Sequence, residues 1–354
     1  MESLKLISVA SSSGNYTSNF THLYKIRPTK EDSQAIRRQK LLEQQKKFRN
    51  NLQDSSRILL LAQCEDEEEC KPKRKSKNVS TKNVSAGSIS KQLMFSEWME
   101  ELPENFENDW LMVLCPVGMR VLIVASRGRT KVITKRGRCL WEFQSALPGG
   151  NNAFSQIFKS AYTILDCIYS ETTETFYILD LLAWGNQSFT NCDTEFRIFW
   201  LQGKLLEYPE LGLRNIRSNL YPFTLLPYFT CSKESISNAL TNWPFFNDNS
   251  PKVDGLLFYH KNAAYTAGFS PTVLWLLPFM VQEVICSDAI VNDKYLKERP
   301  IDYKGQKVFI HTFNEEHKKK KYKKEHSHSI MMEMQIMNDN STFTANTEMD
   351  VEHN

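Results

Sequence analysis

The stretch LCPVGMRVLIVASRGRTKVITKRG, residues 114–137, is the clearest indication of fold class in this chain. Apolar runs rich in valine and isoleucine at 110–115, 119–126 and 130–135 are separated by segments that contain proline or glycine. Such runs, bounded by turn-forming residues, predict β-strands. Similar runs recur at 163–169, 175–184, 195–202 and 253–260. Together they predict a β-rich α+β domain.

Composition excludes several classes of protein. The 354 residues include 21 Phe, 13 Tyr and 7 Trp, enough to build a sizeable core. The eight cysteines form no C-x-x-C pair, which argues against a zinc site or a disulfide framework and for the cytosol or nucleus. The longest apolar run, TVLWLLPFMV, is about half the length that a membrane span needs. We therefore expect no metal, no cofactor and no membrane partner.

Charge and proline patterns divide the chain. Residues 1–20 are rich in serine and asparagine and predict disorder. Residues 21–63 include a basic helix from about Asp32 to Ala62, whose apolar positions are too sparse in its first half to dock on a core. Residues 64–90 form a charged linker, residues 91–300 the globular domain, and residues 301–354 a lysine-rich tail predicted to be disordered.

The opening stretch resembles the start of the active site in covalent nucleotidyltransferases, such as DNA ligases and mRNA capping enzymes. Gly118 and Arg120 match their K-x-D-G-x-R motif, and TILDCIY, TFYILDLLAW, VDGLLFYHK and VLWLLPF follow in the order of their later motifs. The resemblance implies a nucleotidyltransferase-like fold. The chemistry does not follow, because Cys115 and Val117 replace the nucleophilic lysine and the aspartate, and Trp275 stands where a phosphate-activating lysine would be. The pattern predicts a pocket that binds a nucleotide without reacting with it.

A closer resemblance is to the snurportin family. It covers about residues 21–65 and 91–300, through segments such as KQLMFSEWMEELPENFENDWLMVLCPVGMRVLIVASRGRT (91–130), LPGGNN and WLLPFMV. The family implies recognition of the 2,2,7-trimethylguanosine cap of spliceosomal small nuclear RNAs, an N-terminal importin-β-binding helix, recycling by an export receptor, and shuttling between cytoplasm and nucleus. It implies a binding protein and no enzyme.

The same resemblance assigns residues to the two sites. The positions that it implies for the cap are Ser96, Trp98, Gly118, Met119, Arg120, Lys135 and Trp275. The basic residues that we assign to importin-β are Arg27, Lys30, Arg37, Arg38, Lys40, Lys46, Lys47 and Arg49.

Physical chemistry supports this assignment. A guanine methylated at N7 is positively charged, so an indole face attracts it by cation–π interaction and by stacking. The triphosphate needs cations, which Arg120, Arg127, Arg129, Lys131 and Lys135 can supply from one hairpin. The family pattern has a lysine at the position of Met119 and an arginine at the position of Leu277, so we expect a weaker hold on the phosphates.

Two other readings remain open at this point. One is an RNA guanylyltransferase or ligase-like enzyme with a displaced nucleophile, which would trap a covalent nucleotide. The other is a protein that binds RNA without specificity and carries a nuclear signal, for which a cap would not compete.

Overall fold

A computed structural model of the chain describes residues 33–65, 93–151, 161–246 and 251–316, with the backbone alone for residues 53–65. The predicted disordered segment 1–20 and nearly all of the linker 64–90 lie outside these residues, as do Arg27 and Lys30. Within the described residues, no helix is long and apolar enough to span a bilayer.

Helix α1 (Gln34–Glu65) forms the first described segment. It has no proline or glycine and is built from good helix formers. The Ser33 hydroxyl caps it by accepting a hydrogen bond from the Ile36 amide at 3.4 Å. The basic helix predicted from about residue 32 to 62 is therefore present and runs three residues further.

Two β-sheets form the body of the domain. Sheet A has the strand order β1-β12-β11-β2-β10, with β1 parallel to β12 and the other neighbours antiparallel. Sheet B has the order β5-β4-β3-β6-β7-β8, and β9 pairs in parallel with β7.

The bounds of the sheet A strands are β1 Met94–Trp98, β2 Trp110–Pro116, β10 Tyr228–Thr230, β11 Val253–His260 and β12 Gly268–Leu276. Those of sheet B are β3 Met119–Ser126, β4 Arg129–Thr134, β5 Cys139–Phe143, β6 Tyr162–Ser170, β7 Thr175–Trp184, β8 Gln187–Ser188 and β9 Phe223–Leu225. The remaining helices of the domain are α2 Phe106–Asp109, α3 Thr194–Glu207, α4 Lys233–Thr241, α5 Val281–Val284 and α6 Asp293–Leu296.

The prediction of a strand at 195–202 is wrong, because these residues lie in helix α3. Asp193 caps the helix by accepting a hydrogen bond from the Phe196 amide at 2.8 Å. The buried residues Thr194, Arg197, Ile198 and Leu201 follow the spacing of one helical face. The dense apolar residues of this segment resemble the pattern of a buried strand, whereas the N-cap at Asp193 favours a helix.

One face of sheet B packs into the main core. On β3, Val121, Ile123 and Ala125 belong to this core, so that Arg120 points to the opposite face. That opposite face also carries two aspartates, Asp166 on β6 and Asp180 on β7, which stand directly across from each other in the ladder. Sheet B therefore separates an apolar core from a buried layer that contains charges.

A short helix lies within the segment 301–354, for which the sequence predicts disorder. Residues 306–316 are helical, and they belong to a compact unit that begins at Tyr303. Ile310 and Phe313, three positions apart, are buried, and the Phe309 ring lies 6.0 Å from the Tyr303 ring and 6.3 Å from the Phe313 ring. This apolar face stabilises the helix ahead of the lysine-rich residues, which lie outside the described part.

Candidate functional site

Two tryptophans assigned to the site lie side by side in sheet A. Trp98 ends β1 and pairs in register with Trp275 on β12, so their side chains project from the same face of the sheet. Both indoles are buried, with 1% and 0% of their surface exposed. A Cβ atom at Gly255 on β11 would lie 2.1 Å from Cζ2 of Trp275, so only glycine leaves room for this ring. The glycine of the VDGLLFYHK motif is thus explained by packing against Trp275.

Arg120 approaches the same strand from sheet B. Its guanidinium forms a two-point ion pair with Asp166, at 2.5 Å from Nε and 2.6 Å from Nη2, and Nη2 also donates to the Met94 carbonyl at 3.1 Å. Burial opposes the charge, but the Asp166 carboxylate outweighs it and raises the pKa of Arg120 well above its usual value. Arg120 is therefore a charged, buried residue that joins sheet B to β1.

Lys135 reaches β1 from the end of β4. Its Nζ lies 5.0 Å from the centre of the Phe95 ring, which is a cation–π distance. Burial, followed by the charge of Arg136, lowers the pKa of Lys135 below its usual value. Phe95 precedes Ser96, whose side chain is buried. Strand β1 thus carries Ser96 and Trp98 and is contacted by Arg120 at Met94 and by Lys135 at Phe95.

The two residues before Arg120 serve the backbone and the core. A Cβ atom at Gly118 would lie 2.5 Å from the Tyr169 carbonyl oxygen, which only glycine avoids. Met119 packs against the core of sheet B, on the face opposite to Arg120. The sequence resemblance places both at the cap, and the structure places them next to Arg120 without bringing the Met119 side chain to β1.

Two other hairpin cations, Lys131 and Arg129, share an acidic partner. Lys131 Nζ lies 3.1 Å from a carboxylate oxygen of Glu142 on β5, and Arg129 lies 4.0 Å from the same carboxylate. Both basic side chains are substantially exposed, so these are surface ion pairs of small energy. Their charge is shared with Glu142.

Helix α1 docks on the domain, contrary to the expectation from its sparse apolar residues. Arg37 forms an ion pair with Glu97 through both carboxylate oxygens, with 2.6 Å between Nη2 and Oε2. Gln34 donates to Glu97 at 3.1 Å and to the Trp98 carbonyl at 2.9 Å. Arg38 lies 5.1 Å above the Trp110 ring. Polar and cation–π contacts, rather than apolar ones, hold the first turns of the helix.

Further along, Gln45 continues the docked face. Its amide nitrogen donates to the Thr266 hydroxyl at 2.8 Å, and its amide oxygen accepts from the Ala264 amide at 2.9 Å. Lys40, Lys46 and Lys47 are exposed on α1, and Arg49 is half-buried. The basic residues assigned to importin-β therefore divide into a docked group and an exposed group.

The two cysteines in the nucleotidyltransferase-like motifs, Cys115 and Cys167, are buried. Cys115, at the position of the nucleophilic lysine in nucleotidyltransferases, lies in β2 with none of its surface exposed. Burial, followed by the charge of Asp166, raises the pKa of Cys167 well above its usual value. Among the described residues, no cluster of His, Cys, Asp and Glu side chains is placed to hold a metal ion. The candidate site therefore consists of two buried indoles and of the cations Arg120 and Lys135 that contact β1.

Sequence reasoning missed the partners of these residues. The sequence pattern includes Asp166 only as part of a strand motif and does not single out Glu97 or Tyr265. Each of the three contacts a residue at least 60 positions away, or one in another strand. The signal that could have found Glu97 is its position between Ser96 and Trp98 in a buried strand.

Comparison with known proteins gives two kinds of match. Residues 92–278 match the family described as "Snurportin1, m3G cap-binding domain", and residues 22–58 match the family described as "Snurportin1". The first match spans more than half of the chain.

Among solved structures, the ligase domain of LigD from M. tuberculosis is similar at 13% identity and a TM-score of 0.33, over 52% of this chain and 58% of that one. A Lig E DNA ligase is similar at 14% identity and a TM-score of 0.33, over 52% of this chain and 67% of that one. Both likenesses are low in identity and in TM-score.

Proposed function

The chain belongs to the snurportin family, and we propose that the residues grouped around β1 form its cap-binding pocket. As a member of that family, it binds the trimethylguanosine cap of small nuclear RNAs and links the capped particle to importin-β for nuclear import. The observation that supports the position of the pocket is the pairing of Trp98 with Trp275 on adjacent strands, with Arg120 and Lys135 in contact with the start of β1, at Met94 and Phe95.

In this pocket, the indole of Trp275 stacks on the methylated guanine. Stacking on an aromatic side chain contributes about 1–3 kcal/mol per base, and the positive charge of the N7-methylated ring adds a cation–π attraction. Trp98 provides an apolar wall for the two methyl groups on N2, which have replaced both hydrogen-bond donors. Because both indoles are buried in the structure, cap binding includes a step that uncovers them.

Lys135 and Arg120 serve the triphosphate in different ways. Lys135 is half-buried and offers its ammonium group directly. Arg120 already donates hydrogen bonds to Asp166 and to the Met94 carbonyl, so it does not form a new two-point contact with a phosphate. It contributes its positive electrostatic potential and keeps β1 in position. This division agrees with the weaker hold on phosphates that Met119 and Leu277 predict.

The import side of the adaptor lies in α1. We assign to it the exposed lysines Lys40, Lys46 and Lys47, and the docked arginines Arg37 and Arg38, which importin-β reaches once the helix leaves the domain. Return to the cytoplasm by an export receptor completes the cycle. No nucleotidyl transfer takes place in the pocket, since a buried thiol at Cys115 replaces the lysine that would form the covalent bond.

The test is a tryptophan-fluorescence titration with trimethylated and monomethylated cap dinucleotides. We expect tighter binding of the trimethylated cap, and no covalent nucleotide on the chain after incubation with labelled GTP. Trp275→Ala should weaken trimethylated cap binding about tenfold to a hundredfold, and Trp275→Phe should weaken it less, because a π face remains. Unchanged affinity of a folded Trp275→Ala variant would place the pocket elsewhere.

A further inference from the structure

A closed ring of hydrogen bonds ties β1 to sheet B. The Tyr265 hydroxyl donates to Oδ2 of Asp166 at 2.7 Å and accepts from the Met94 amide at 3.0 Å. Arg120 donates to both oxygens of Asp166 and to the Met94 carbonyl at 3.1 Å. Four residues from two sheets and one loop therefore close a ring, and all four are buried.

This ring holds the strand that carries the pocket. Strand β1 is an edge strand of sheet A, where it pairs with β12. The register of this pairing shifts between Ser96 and Glu97. At Met94, both backbone polar groups, the amide and the carbonyl, are engaged by the ring. Ser96 and Trp98 follow Met94 by two and four residues, so the ring fixes the position of the backbone from which both side chains project.

Tyr265 is suited to this task by its chemistry. A tyrosine hydroxyl donates one hydrogen bond and accepts others, as a residue between a carboxylate and an amide must do. Burial, followed by the charge of Asp166, keeps the pKa of Tyr265 well above its usual value, so the donor proton is present at every physiological pH. Its ring is held on a second side by Arg197, whose Cζ lies 5.8 Å from the ring centre.

We propose that Tyr265 is a positioning residue for cap recognition, which sets the distance between the β1 wall of the pocket and Arg120 through Met94 and Asp166. The proposal rests on the proposed position of the cap pocket. It predicts that the loss of one hydroxyl group changes the choice between caps, because β1 carries Trp98, whereas Trp275 lies on β12 and stays in place.

The experiment compares Tyr265→Phe with Tyr259→Phe. Tyr259 is also buried and lies on β11, and its hydroxyl has no hydrogen-bond partner within the described part of the chain, so this control removes a buried tyrosine hydroxyl without breaking the ring of hydrogen bonds. Each folded variant is titrated with trimethylated and monomethylated cap dinucleotides. We expect Tyr265→Phe to bind the trimethylated cap about tenfold more weakly and to discriminate less between the caps, whereas Tyr259→Phe binds as the unaltered chain does.

A purely structural role gives a different result. Tyr265→Phe would then unfold at a lower denaturant concentration and keep both cap affinities and their ratio, and this would overturn the proposal. A second measurement uses the unaltered chain: cap dinucleotide should slow hydrogen exchange of the Met94 amide, and an unchanged rate would also overturn it. If the unaltered chain binds neither cap, the proposed function itself has failed, and the assignment of Tyr265 falls with it.

Discussion

Removal of one negative charge beneath α1 should strengthen importin-β binding. Glu97→Gln keeps the size of the side chain but takes away the charge that Arg37 contacts through both carboxylate oxygens. Glu97 is buried and Arg37 is largely buried, with 2% and 10% of their side-chain surface exposed, so solvent screens this pair very little. The docked position of the helix is therefore the state that this substitution weakens.

The magnitude follows from the contacts that are lost. Hydrogen bonds to a charged group contribute about 1.5–3 kcal/mol, and the substitution removes the charge from the Arg37 pair and from the Gln34 contact. Importin-β needs the undocked helix, so docking reduces the apparent affinity by the fraction of chains that are undocked. We expect Glu97→Gln to tighten importin-β binding by about tenfold, towards the affinity of a peptide of residues 21–65.

The assay is the affinity of the full chain for importin-β, measured by calorimetry at physiological ionic strength. The matched control is Glu101→Gln, which makes the same change in net charge at an exposed position four residues away. General electrostatic attraction would strengthen both variants equally, whereas release of α1 strengthens only the first. Equal affinities for Glu97→Gln and the unaltered chain would show that docking does not compete with importin-β.

Two further predictions concern the phosphates and pH. Lys135→Ala should weaken the binding of trimethylated and monomethylated caps equally and flatten the salt dependence of binding, since phosphates carry no information on methylation. Arg120→Ala should lower the free energy of unfolding by about 3–5 kcal/mol, because it leaves the buried Asp166 without its counter-charge. Cap titrations at several salt concentrations test the first prediction, and urea denaturation tests the second. Burial, set against the nearby Asp109 and helped by Arg38, lowers the pKa of His260 to about 4, so below pH 6.5 the unfolded chain takes up a proton that the folded chain refuses. The free energy of unfolding should then fall by about 3 kcal/mol between pH 6.5 and 4 and level off below, and His260→Gln should lack this component in urea denaturation at each pH.

Six of the twelve strands among the described residues could be predicted, because each is a short apolar run between turn-forming residues. The bounds of β2, β3, β4, β6, β7 and β11 lie within one residue of the predicted runs. Helix α3 could not be predicted in this way, since its apolar residues are too dense to show a clear period, and the decisive signal was a single cap at Asp193. Periodicity decides an element only where one side of it is polar.

The residue types of the site could be predicted from the sequence, but the ion pairs and hydrogen bonds between these residues could not. Trp98 and Trp275 were expected at the ligand, and the structure places them in register. Arg120 was expected to face a phosphate, but it lies 4% exposed against a carboxylate from another strand. The docking of α1 was missed for a similar reason, because hydrophobic patterns do not register a helix that is held by Arg37, Arg38 and glutamines. Contacts between distant polar residues leave no trace in a local pattern.

The facing aspartates of sheet B have a consequence for how this protein can change over generations. Asp166 and Asp180 stand opposite each other, and each is neutralised by an arginine from a different element, Arg120 and Arg197. A single substitution at any of the four positions leaves a buried charge without its counterpart, and it also alters the balance at the neighbouring pair. In related chains, we therefore expect each arginine and its aspartate to be substituted together, whereas the half-buried Lys135 can be substituted singly. Co-inheritance of the four positions would be a mark of the fold, and variation at Lys135 a mark of how strongly each lineage holds its RNA.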